Sequence, residues 1–162
     1  MGSLLGRAAS VMSRWNMASM PLTLGQLARA VGMTAEEVQS YWDRGLLQSP
    51  RRRVGRSGEA AYHKEHLERL LIIRKGMELG LSPEEVVRLV EPGPLLTCND
   101  IYKIGMQRLE RLREENNRPA AIKSLEALVD KCPRVGGRDA CPVVAALHAG
   151  ARRPKATFRR QK

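Results

Sequence analysis

The sequence predicts a mainly all-α protein with a small β wing. A winged helix-turn-helix domain comes first, then a long antiparallel coiled-coil helix suited to dimerisation, then a cysteine-bearing loop with a short helix. Three observations predict this. Short capped segments with helical apolar spacing follow one another from residue 23 to residue 91. One Gly- and Arg-rich stretch between them has no helical period. A single stretch near residues 99 to 131 has one thin apolar edge.

Taken in order, residues 1–21 carry Arg7 and Arg14, no acid before residue 21, and Met12, Met17 and Met20 as further possible starts. They are expected to be a disordered extension rather than a transit peptide. Thr23 opens a helix of about two turns with Leu24, Leu27, Ala28 and Val31 on one face, and Gly32 ends it. Thr34 and Glu37 have capping-box spacing ahead of Val38, Tyr41 and Trp42. Two short helices across a glycine-containing turn make a helix-turn-helix. From Gln48 to Ala61 the chain holds Pro50, Gly55, Gly58 and Arg51, Arg52, Arg53 and Arg56, with Arg44 just before, and reads as a basic wing. Tyr62 to Glu78 is a periodic helix stopped near Gly80, and Ser82, Pro83 and Glu85 start another. "EPGP" marks a linker at 92–97, closing a domain at 22–91.

Thr97 and Asp100 cap a long helix expected over 98–131, with a kink or a break at Pro119. Its apolar edge is too thin to fold on itself and calls for a second chain. A loop and short helix follow at 132–150, then a basic tail at 151–162 with six positive charges, expected to be disordered.

The net charge is +11 over 162 residues and the pI is near 10.3, which favours a polyanionic partner, nucleic acid before membrane. No apolar run nears the roughly 18 residues of a membrane span. Three cysteines in a chain of this size suit a reducing cytoplasm. No Ser-His-Asp set, phosphate-cradling glycine loop or paired carboxylates suggest catalysis, and His63, His66 and His148 read as helix caps or solvent-facing residues.

The cysteines carry the sharper signal. Cys132 ends the long helix, and Cys141 precedes Pro142 as the cap of the last helix, where backbone N–H groups favour a thiolate. Gly136 and Gly137 let the loop between them curl. Cys98 lies 34 residues before Cys132, about 50 Å along an unbroken helix. On that reading the three sulfurs meet only in an antiparallel pair, Cys98 of one subunit facing Cys132 and Cys141 of the other. Three thiolates without a histidine or carboxylate suit Hg(II) or Pb(II) better than Zn(II). Ordinary buried cysteines, or a Cys132–Cys141 disulfide, are the plain alternatives.

The order of these parts resembles the mercury-resistance regulator (MerR) family of bacterial transcription factors, thiol-rich heavy-metal sensors above all. "LTLGQLARAVGMTAEEVQSYWDRGLL" resembles its helix-turn-helix, and "HLERLLIIRKGMELGLSPEEVVRLVE" the helix pair after its wing. "TCND" and "DKCPRVGGRDACPVVAAL" resemble the metal-binding ends of its dimerisation helix. The resemblance runs from Leu22 to Leu147. It implies a cytoplasmic bacterial homodimer on double-stranded promoter DNA, holding it distorted until metal lets RNA polymerase engage, with no membrane partner.

It maps metal ligands onto Cys98, Cys132 and Cys141, with Hg(II) first, Pb(II) and Cd(II) next and Zn(II) less fitting. It implies DNA contacts at Thr34, Gln39, Tyr41, Arg44, Arg51, Arg52, Arg53, Arg56 and Tyr62. Gln39 and Ala60 stand where the family usually has arginine. A thiol redox regulator and a metal buffer without an operator are the alternatives in function.

Overall fold

The computed structural model describes residues 22–48, 51–52, 60–91, 96–115 and 117–151. The expected extension (1–21), most of the tail (152–162) and wing residues Arg53 and Arg56 lie outside them. The helices are α1 (Leu24–Val31), α2 (Ala35–Asp43), α3 (Lys64–Glu78), α4 (Pro83–Val90), α5 (Cys98–Glu115), α6 (Pro119–Val129) and α7 (Pro142–Ala151). Two-residue strands β1 (Arg51–Arg52) and β2 (Ala60–Ala61) pair antiparallel, Arg51 with Ala61 and Arg52 with Ala60. That short contact is all of the expected wing that falls within the described residues.

The helix starts follow their capping chemistry. Glu37 N–H donates to Thr34 Oγ1 at 3.1 Å and Thr34 N–H to Glu37 Oε2 at 2.7 Å. Ser82 and Glu85 make the same exchange at 2.7 and 3.2 Å. In each box two N–H groups that a helix start leaves unpaired find acceptors. Gly32, at φ +76°, closes α1 in the left-handed conformation that glycine adopts without steric cost. At α3, His66 Nδ1 accepts from the His63 N–H at 3.0 Å. His66 is buried, and its Nε2 has no hydrogen-bond partner among the described residues.

Helix C-termini are satisfied differently. Arg74 donates to the Val31 carbonyl at the end of α1, and Arg69 Nε to the Leu46 carbonyl at 3.3 Å. Arg118 Nη2 reaches the Met77 carbonyl at 2.9 Å, Arg108 the Gly80 carbonyl and Arg138 the Glu91 carbonyl. A guanidinium suits these ends because the last carbonyls of a helix lack intrahelical donors and carry partial negative charge. Three of these arginines belong to the second half of the chain and grip α3 and α4 in the first.

The long helix expected over 98–131 does break at Pro119, and the break is a full reversal. α5 stops at Glu115, the chain turns through Asn117 and Arg118, and α6 starts at Pro119 and packs antiparallel on α5 within the same chain. Proline explains the break: without an N–H, and with its ring against the previous turn, it is costly inside a helix and harmless at a first helical position. The apolar edge then buries against its own second half, with Leu109 and Leu112 of α5 and Ala121, Leu125 and Val129 of α6 in the core. Gly105 permits the approach, since a Cβ there would sit 2.8 Å from Val129 Cγ2. α7 lies on α3, where a Cβ on Gly150 would strike the Lys75 side chain at 2.5 Å. One hydrophobic core therefore runs from Leu22 to Leu147.

Candidate metal centre and nucleic-acid interface

The hairpin places its three cysteines together. Cys98 is the first residue of α5, Cys132 follows α6, and Cys141 precedes α7 with its carbonyl accepting from the Ala145 N–H at 2.9 Å. Their sulfurs lie within 4.8 Å of one another, all three are free thiols, and all are buried. Cys98 Sγ and Cys132 Sγ are 2.8 Å apart. The inference that these sulfurs can meet only between two chains is thereby overturned. It assumed a straight rod of about 50 Å, and the turn before Pro119 folds that rod in half.

The loop between Cys132 and Cys141 crosses the start of α5. Cys98 N–H donates to the Gly136 carbonyl at 3.1 Å, and Thr97 bridges Gly137 in antiparallel fashion. Gly136, at φ +98°, makes the bend. Thr97 caps α5 together with Asp100, whose Oδ2 accepts from Thr97 N–H at 2.9 Å and Oγ1 at 2.6 Å. These bonds hold the Asp100 carboxyl below the usual carboxylate range.

Burial pushes the Cys98 thiol up to about 12 from an ordinary 9.0, helped by its hydrogen bond with Cys132 and by the nearness of Cys141. The metal-free centre thus keeps the Cys98 proton at neutral pH, and a metal must displace it. The folded value lies above the unfolded one, so Cys98 stabilises the native state fully below pH 9.0 and loses that contribution as pH rises towards about 12. We expect ultraviolet thiolate absorbance of the metal-free protein to show one cysteine titrating well above a free thiol, with the denaturation midpoint falling over the same range. Titration of all three thiols near the free value would contradict the burial argument.

Among the described residues the donor set is three sulfurs with no histidine or carboxylate, which fits a soft thiophilic cation and leaves tetrahedral Zn(II) one ligand short.

The expected DNA contacts separate into groups. Thr34 and Arg44 are exposed, although Thr34 Oγ1 is engaged in capping and Arg44 pairs with Glu84. Gln39 donates to Asp43 Oδ1 at 3.0 Å. Tyr41 and Tyr62 are core residues rather than surface contacts, only 6% and 2% exposed. Tyr41 donates its hydroxyl proton to Met77 Sδ at 3.2 Å, and Tyr62 stands edge-on to His66. Burial pushes both phenols up. Each ring has more apolar surface to bury than polar surface to present, so both support the helices here. Arg51 and Arg52 lie on β1.

Two features had no signal in the sequence. The arginine caps look like any surface charge until the chain folds. Arg134 stacks on Tyr102, its guanidinium 4.2 Å from the ring centroid, and donates to the Tyr102 hydroxyl at 2.9 Å.

The chain thus carries a short capped helix-turn-helix pair and, within the same hydrophobic core, a buried three-thiol cluster. Residues 22–91 match the family model described as MerR HTH family regulatory protein. That match covers 70 of the 162 residues, the helix-turn-helix half of the chain. Among similar proteins is the mercuric resistance operon regulatory protein of Pseudomonas fluorescens, 29% identical over 134 residues, covering 80% of this chain and 90% of the relative. The protein of that name from Serratia marcescens is 28% identical, with 83% and 92% covered. The HTH-type transcriptional regulator CueR of Salmonella typhimurium is 26% identical, with 83% and 100% covered. A solved structure, the transcription regulator PbrR691 of Ralstonia metallidurans CH34 in complex with lead(II), aligns with a TM-score of 0.48 at 24% identity, covering 78% of this chain and 98% of that one. The relatives are regulators, not enzymes, and no helix among the described residues is long and apolar enough to cross a membrane.

Proposed function

We propose that this protein is a transcription regulator that responds to a thiophilic heavy metal, Hg(II) first, with Pb(II) and Cd(II) as the alternatives. The observation that carries this reading is the cluster of Cys98, Cys132 and Cys141, buried and joined by no histidine or carboxylate among the described residues. Those three residues would hold the ion, which would bind sulfur in place of the thiol protons. The similarity to mercuric resistance regulators over most of both chains supports the order of metals.

The chain's own residues connect the centre to the DNA-binding half. Cys141 immediately precedes α7, which rests on α3. Arg138, in the same loop, holds the Glu91 carbonyl, while the Glu91 carboxylate pairs with Arg69, which holds the Leu46 carbonyl at the end of the helix-turn-helix. A change at the thiols therefore has packed routes to the elements expected on DNA. The partners are double-stranded promoter DNA and RNA polymerase, in the cytoplasm, with two copies on a pseudo-palindromic site. A second copy can supply α6 and α7 to the first by opening the chain before Pro119, because the face that α6 covers on α5 is the same whichever chain provides it.

The test is a titration of reduced protein with Hg(II), Pb(II), Cd(II) and Zn(II), followed by sulfur-to-metal charge-transfer absorption and by transcription from a candidate promoter. The reading requires one tight site per chain, Hg(II) the strongest, and metal-dependent transcription. Tight metal binding with no preference between promoter and random duplex at moderate salt would instead indicate a buffer.

A further inference from the structure

We propose that Arg134 and Tyr102 form a latch that holds the 133–140 loop closed over Cys98 and so controls how fast the thiol centre opens. Cys98 is fully buried, yet Pro133, Arg134, Val135, Gly136 and Gly137 above it are all exposed, Val135 at 73%. Apolar burial therefore does little to hold this cover down. Its fastenings are polar: Cys98 N–H to the Gly136 carbonyl, the Thr97–Gly137 bridge, Arg138 on the Glu91 carbonyl at the far end, and Arg134 on Tyr102. Segments held this way open locally without global unfolding.

The backbone of Arg134 points to its side chain. At φ +58° it is the only non-glycine residue with positive φ among the described residues, although Gly136 and Gly137 lie close by. A side chain in that region is strained, and the conformation persists only when other contacts fix it. The contact available is Tyr102, four residues after Cys98 on α5 and hence on the same helix face. The guanidinium sits 4.2 Å from the ring centroid and bonds its hydroxyl at 2.9 Å, so one residue pair joins the helix of Cys98 to the loop leaving Cys132. Both are positioning residues, with no ligand atom of their own.

The first measurement uses reduced, metal-free protein and does not depend on the metal reading: the rate of Cys98 alkylation by iodoacetamide, mapped by mass spectrometry. Arg134→Gly removes the latch and also relieves the left-handed strain, so the fold is retained. Cys98 should then react roughly tenfold faster, as expected for losing one cation–π contact and one hydrogen bond, at an unchanged urea midpoint. Tyr102→Phe, which keeps the ring but loses the hydroxyl, should fall between the two, and Arg134→Lys should restore part of the protection. Wild-type rates in both Arg134→Gly and Tyr102→Phe would overturn the latch, as would an acceleration accounted for by a lowered urea midpoint. The second measurement, which rests on the metal reading, follows Hg(II) transfer from the loaded protein to a competing dithiol, expected to be faster in Arg134→Gly. Faster alkylation in a protein that binds no Hg(II) would sink the metal reading and leave the latch standing.

Discussion

Cys98→Ser is expected to lower Hg(II) affinity by at least about a hundredfold, since losing even an outer-shell partner of a metal ligand costs 10- to 100-fold and Cys98 supplies one of only three donors. Serine is nearly isosteric, so the helix start and the Thr97–Asp100 cap should survive, and a denaturation midpoint close to wild type would show that the loss is chemical. The charge-transfer band should weaken and shift as a three-sulfur site becomes a two-sulfur site. An unchanged band and affinity would remove Cys98 from the centre. Mixing Cys98→Ser chains with Cys132→Ser chains then asks which chain closes the hairpin. With the sulfurs joined within one chain, as they are here at 2.8 Å between Cys98 and Cys132, no wild-type site returns. Recovery of up to one site per pair would mean that two copies exchange the segment after Asn117.

Gly80→Ala is expected to destabilise the protein by about 3 kcal/mol, combining the left-handed backbone penalty with overpacking. Gly80 sits at φ +83°, where a Cβ would lie 2.6 Å from Leu112 Cδ1 and 3.3 Å from the Ala121 Cβ. Both neighbours belong to the α5–α6 hairpin, and Arg108 of α5 holds the Gly80 carbonyl. The residue is therefore one point where the α5–α6 hairpin rests on the first half of the chain. Urea denaturation would read the loss. In a Leu112→Ala background the added cost should shrink towards the backbone part, about 1 kcal/mol, because the two changes share one contact. Full additivity would show that the clash is not what makes glycine necessary.

Local chemistry was legible because it depends on neighbours a few residues apart. The Thr34–Glu37 and Ser82–Glu85 boxes and the glycine after α1 follow from spacing alone. The three cysteines were legible as one site by their softness and by the lack of any competing ligand nearby. The arginine caps were not, for an arginine bound to a carbonyl 28 or more residues away has the same local pattern as one in solvent. The burial of Tyr41 and Tyr62 was not legible for a related reason: a tyrosine's spacing does not tell whether its hydroxyl meets solvent or, as for Tyr41, Met77 Sδ.

What the amino acids by themselves determined is the helix-turn-helix, the breakable position at Pro119 and a sulfur-only donor set. Only the tertiary structure decided that the break is a full reversal, that α7 lies on α3, and that Arg134 is bound to Tyr102. The physical reason is range. Caps and proline act through dihedrals and hydrogen bonds within a turn, whereas the direction of the chain after Pro119 depends on which distant surface lets an apolar edge leave water.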